Sequence, residues 1–106
     1  MAKVRIDDTA AVQIEDIYIY TADHWGEAQA EAYVRGLYDL FQDIADGRAT
    51  GRMIPATFPV EGYVRTYRSH FVYWRKLEPD VIGIAAVLHG RMHRVERVRK
   101  LLGERN

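Results

Sequence analysis

The stretch VIGIAAVLH, residues 81–89, is apolar from Val81 to Leu88 without interruption. A strand with one wet face alternates apolar and polar side chains, so an unbroken run of this length fits a strand covered on both faces. It is expected at the centre of a sheet, with helices on one face and a further element on the other.

Outward from it, Glu78-Pro79-Asp80 reads as a turn, since proline presets the backbone angle of a turn's second position. Two more β-prone runs precede it, GYVRTYRS (62–69) and HFVYWRKL (70–77), with Ser69-His70 expected as the hairpin turn between them. Before these, GRATGRMIPATFP (47–59) loses all periodicity, and its glycines and prolines mark a loop.

The first half of the chain has a helical period instead. Ala11, Ile14, Ile17, Thr21 and Trp25 recur every three to four residues, which predicts one helix with a single buried stripe and Glu15, Asp16 and Asp23 off it. Asp7 or Asp8 is placed to cap it. Gly26 breaks the run, and a second stripe follows from about Glu27: Ala30, Tyr33, Val34, Leu37, Phe41, Ile44 and Ala45. So short a connection predicts an antiparallel helical hairpin. Ahead of it, KVRI alternates as a short strand, and after the central strand Val95, Val98 and Leu102 predict a closing helix over about Arg91 to Leu102. The expected class is α+β: strand, helical hairpin, three-stranded antiparallel meander, C-terminal helix.

With 106 residues, 48% apolar and 28% charged, the chain suits one globular domain, and we treat 1–106 as that unit. No apolar run approaches the ~20 residues of a membrane span and MAKVRIDD lacks a signal-peptide core, so a cytoplasmic protein is expected. The absence of cysteine removes disulfides and thiolate metal sites. The net charge of zero hides a division: residues 1–46 sum to −7 and residues 47–106 to +7. That split fits either a basic face for an anionic partner or two halves that attract each other on folding.

Several chemistries can be weighed on the residues. His89 and His93 are four apart, but Gly90 interrupts the helix that a shared metal would need, so no metal and no cofactor is expected. Acid–base cleavage of RNA needs a base, an acid and a cation for the phosphorane; His89, His93, Arg65, Arg68, Arg75 and Arg91 supply the types, though nothing in their spacing brings them together. Ser69, the one serine, sits in a turn, and GRATGR lacks the lysine of a phosphate loop. The aromatics Tyr63, Tyr67, Phe71, Tyr73 and Trp74, interleaved with cations, suit a base-stacking platform only if they escape the core that alternation assigns to half of them. Arg91 and Arg94 project to the apolar side of the closing helix and need a partner, either an intramolecular carboxylate or another molecule.

Three segments together carry a resemblance: DIYIYTADHWGEAQAEAYVRGLYDLFQDIA in the helical hairpin, YRSHFVYWRKL in the middle strands and VLHGRMH at the end of the last. Their order and spacing resemble the RelE/ParE toxin superfamily, specifically its ParE branch, from about Val4 to Arg97. The resemblance implies a bacterial toxin neutralised by a ParD-like antitoxin, whose ribbon-helix-helix end binds operator DNA and whose tail wraps the toxin. ParE proteins poison DNA gyrase without enzymatic chemistry, whereas the RelE branch cuts mRNA in the ribosome. The nuclease branch usually relies on a tyrosine or histidine near its C-terminus; here no tyrosine follows Tyr73, while His93 stands where ParE relatives often carry an acid.

On this resemblance we expect Arg91, Arg94, Arg97 and Lys100 to meet the target, and Tyr18, Trp25, Tyr33, Tyr67, Arg68, Tyr73 and Arg75 to meet the antitoxin, with no catalytic residue. The alternatives are a ribosome-dependent endoribonuclease using His89 or His93 with the arginines above, and a non-toxic relative that only binds its antitoxin. An antitoxin tail is expected to cover whatever apolar strand surface the closing helix leaves open, its acids meeting the basic half.

Overall fold

The computed structural model describes residues 2–55 and 61–90. The chain runs β1 (Lys3–Ile6), α1 (Asp8–Trp25), α2 (Glu27–Ala45), β2 (Arg52–Met53), β3 (Tyr63–Tyr67), β4 (His70–Glu78) and β5 (Val81–His89). The strands form one sheet in the order β1-β5-β4-β3-β2. β5 is internal, and Val81 to Leu88 are all buried, as the unbroken apolar run predicts. β1 pairs with it in parallel, Lys3 opposite Val81 through Ile6 opposite Ile84, because the chain crosses over through the helices before returning. The other neighbours are antiparallel, joined by tight turns between β3, β4 and β5. The α+β class and the strand–hairpin–meander order stand as read from the sequence.

Gly26 joins the two helices at φ 96°, in the left-handed half of backbone space, ending α1 and opening α2 within a single residue. The hairpin lies on the sheet through Ala10, Ile14, Ile17, Leu37, Phe41 and Ile44, which meet Val72, Trp74, Ile82, Ile84 and Val87. Alternation along β5 breaks at Ala85: Trp74 stands opposite Ile84, but Tyr73 stands opposite Ala86, leaving one extra residue. Such a bulge resets the phase of the strand. Ile82, Ile84 and Val87 therefore meet the helices, whereas Ala86 and Leu88 join Ile54, Val64 and Tyr73 in a second cluster on the other face.

Several expectations need correction. Ala10, not Ala11, belongs to the α1 stripe, and Trp25, the last residue of α1, is 65% exposed. Asp7 holds the N-cap position without a side-chain cap bond; its carboxylate lies 3.8 Å from Arg75 instead. The segment read as loop contains β2, which pairs Arg52 with Val64 and Met53 with Tyr63. The hairpin turn is Arg68-Ser69 rather than Ser69-His70, since Tyr67 pairs with His70. The expected closing helix, with Arg91, His93, Arg94, Arg97 and Lys100, lies outside the described residues. No helix among the described residues is long and apolar enough to cross a membrane.

Candidate functional site

A groove of about 760 Å³ opens between α1, α2, the β3–β4 turn and the end of β5. Among the described residues its floor is Ile17, Thr21 and Val87, its helical wall Gln13, Asp16, Tyr20, Trp25, Gln29 and Tyr33, and its rim Arg68, Ser69, His70 and His89; Leu88 borders it along β5 while belonging to the cluster on the other face.

Each wall is fixed by local bonding. Thr21, buried in the helix, returns its hydroxyl to the carbonyl of Ile17 at 2.7 Å. His24 donates Nδ1–H to the Tyr20 carbonyl at 2.8 Å, and the two rings stack at 3.9 Å. β1 ends at Ile6, so β5 continues past the last strand pairing it on that side. There the amide of Val87 donates to Gln13 Oε1 at 2.7 Å, a side chain standing in for the missing strand.

At the rim, α2 is tied to the β3–β4 hairpin by two bonds. Tyr67 donates its hydroxyl to the carbonyl of Tyr33 at 2.8 Å, and the Tyr33 hydroxyl is hydrogen-bonded to His70 Nδ1 at 2.6 Å. Gly36 makes the first bond possible: a Cβ at this position would collide with the Tyr67 hydroxyl. Burial pushes the Tyr33 phenol up, opposed by hydrogen bonding from Ser69 and the charge of Arg68. His70 pairs with His89 across the β4–β5 ladder, their rings edge to face at 5.2 Å. Burial, helped by the nearby His89, lowers the His70 pKa to about 4, so its imidazole is neutral at pH 7. The Arg68 guanidinium lies 5.8 Å from the ring centres of both Tyr33 and Tyr67.

Of the residues expected to meet an antitoxin, Trp25, Tyr33 and Arg68 line this groove, and Tyr67 packs behind Tyr33. Tyr18 is half-buried on α1 outside it. Arg75 points to Asp7 at the end of β1. Tyr73 is only 2% exposed in the second cluster, where burial drives its pKa up to about 12; a core position replaces the surface position expected for it.

Of the residues weighed for acid–base chemistry, Arg68 and His89 line the groove together. Arg65 instead donates to the Thr50 carbonyl at 2.6 Å, and Arg75 is at Asp7, so neither reaches the groove lining. His93 and Arg91 lie outside the described residues. His70, expected in the hairpin turn and not as a site residue, is instead the first residue of β4 and stands opposite His89. A neutral imidazole at pKa about 4 is a poor general base at pH 7. No cluster of three or more histidine or carboxylate side chains among the described residues is placed to hold a metal ion.

Among the described residues the recess has an apolar floor, exposed aromatics and one arginine at its rim. Comparison with known proteins gives matches of three kinds. Residues 4–94 match the family described as ParE toxin of type II toxin-antitoxin system, parDE. The chain is 32% identical over 88 residues to Toxin ParE1 of Mycobacterium tuberculosis strain CDC 1551 / Oshkosh, covering 82% of this chain and 88% of that protein, and equally to Toxin ParE1 of strain ATCC 25618 / H37Rv. Among solved structures, a chromosomal ParDE TA system from P. aeruginosa superimposes with a TM-score of 0.67 at 17% identity, over 84% of this chain and 96% of the other.

Proposed function

The chain belongs to the ParE toxin family of type II toxin–antitoxin systems, and from that premise we propose that it is a non-enzymatic, cytoplasmic toxin that inhibits DNA gyrase and is neutralised by a ParD-like antitoxin seated in the groove. The observation that carries the antitoxin half is the groove itself. Trp25 and Tyr20 stand 65% and 61% exposed beside an apolar floor, a combination a lone soluble chain has reason to cover. A disordered tail that folds onto such a surface gains a large interface and can be removed by proteolysis, which releases the toxin. The similarity in fold to a ParDE TA system is in keeping with such a partner. Operator DNA would be reached only through the antitoxin.

The non-enzymatic half is supported by the dispersal of the sheet arginines and by the neutral His70. Arg91, Arg94, Arg97 and Lys100 remain the proposed target contacts, as a cationic segment with no competing acid run beside it. A second reading, ribosome-dependent mRNA cleavage, has one observation in its favour: Arg68 and His89 line one groove. Pulse labelling minutes after induction separates the two. DNA synthesis failing first supports gyrase, and its persistence while protein synthesis stops, with toxicity abolished by His89→Ala, overturns that assignment.

A further inference from the structure

Arg68 is the one non-glycine residue with positive φ among the described residues, at 53°. It is the first of the two central residues of the β3–β4 hairpin, and Ser69, the second, does not share the positive angle. A two-residue hairpin turn with only its first central angle positive takes glycine there, because a Cβ crowds the backbone. A long cationic side chain at such a position is a local cost kept against the folding preference of the turn. Costs of this kind gather where a side chain has work outside the fold.

What Arg68 does inside the fold is limited. Its guanidinium rests near Tyr33 and Tyr67 without an ion pair among the described residues, whereas Arg48 and Arg75 both have carboxylates within 4.0 Å. Those two rings are themselves locked by the Tyr67–Tyr33 and Tyr33–His70 bonds, so the cation sits on a rigid platform at the groove rim. A guanidinium held over aromatic faces keeps its edge donors turned outward for a planar, two-oxygen acceptor. The floor beside it is Ile17, Thr21 and Val87.

We infer that Arg68 is the specificity-determining residue of the groove, selecting a partner segment that presents an apolar side chain to the floor and a carboxylate to the rim. This rests on the reading that the groove seats the antitoxin, and it names the chemistry by which the groove does so. Restoring the glycine that the turn prefers should therefore separate stability from recognition: Arg68→Gly relaxes the backbone and removes the cation, whereas Arg68→Gln removes the cation alone.

The test uses the whole chain and, as probe, the intact ParD-like protein encoded beside it, with melting temperature and calorimetric Kd at low and high salt. Arg68→Gly should melt about 4 °C higher than the unsubstituted chain and bind at least about tenfold more weakly, with a shallower salt dependence. Arg68→Gln should lose the same affinity with no rise in melting temperature. Trp25→Ala should weaken binding through the groove wall. If Trp25→Ala weakens binding while both Arg68 variants bind within twofold of the parent, the groove reading stands and this inference falls. If the unsubstituted chain does not bind the probe, both fall together.

Discussion

The hydroxyl of Tyr33 and Nδ1 of His70 lie 2.6 Å apart, joining the second turn of α2 to the first residue of β4. This bond holds a histidine whose pKa burial has lowered to about 4, well under its ordinary 6.5. The unfolded chain then binds a proton that the folded chain refuses, so stability is full above pH 6.5 and falls as pH drops toward 4. Urea midpoints between pH 7.5 and 5 should decline with a His70 contribution of at most about 1.4 kcal/mol per pH unit, and His70→Phe should flatten that part of the slope.

Gly36→Ala should destabilise the protein by about 1–3 kcal/mol, despite alanine's better helix propensity, because the new methyl displaces the Tyr67 hydroxyl from the Tyr33 carbonyl. In a Tyr67→Ala background the same substitution should become neutral or stabilising. Chemical denaturation of the four chains gives the cycle directly, and a cost that persists without Tyr67 contradicts the explanation.

Gln13→Ala removes the acceptor from the Val87 amide where β5 outruns β1. A buried donor left without a partner costs about 1–3 kcal/mol. Hydrogen exchange should show Val87 protection falling by more than that of Ile84, whose position is still covered by β1; equal loss at both argues against the local role.

Phe41→Ala should cost about 3–5 kcal/mol, since Phe41 is 1% exposed between the helices and the sheet and the cavity left cannot collapse. Exposed Tyr38, stacked on it edge to face, should tolerate replacement by leucine with less than about 1 kcal/mol of loss.

Trp25 and Trp74, the chain's two tryptophans, are 65% and 4% exposed. Addition of the antitoxin should move the emission of Trp25 to shorter wavelength and leave the Trp74 component in place. Trp25→Phe should remove the shift while binding is still detected by mass; a shift that survives puts the partner somewhere other than the groove.

Much of this molecule was legible in its sequence. Helix and strand periods report local burial, and the unbroken apolar run of β5, the stripe through Ala30, Leu37 and Phe41 and the breaker at Gly26 each state their own environment without knowledge of a distant partner. The family motifs in the hairpin and strand exit work the same way, as ordered local patterns. Three groove residues, Trp25, Tyr33 and Arg68, were reached through that resemblance.

Pairing and register, by contrast, were decided only in three dimensions. The hairpin turn sits one residue earlier than the composition suggests because Tyr67 pairs with His70; that slip is what gives Arg68 its positive φ and sets His70 against His89. The bulge at Ala85 shifts the phase of β5, and Tyr73 is in the core because its strand neighbours Val72 and Trp74 meet the helices. Residues such as Gln13 and Val87, far apart in the chain, meet because β1 stops at Ile6. A strand's side chains change faces with each one-residue slip, so the local pattern marked the buried stripes, Ala11 and Trp25 apart, and the tertiary pairing alone determined which residues meet at the groove.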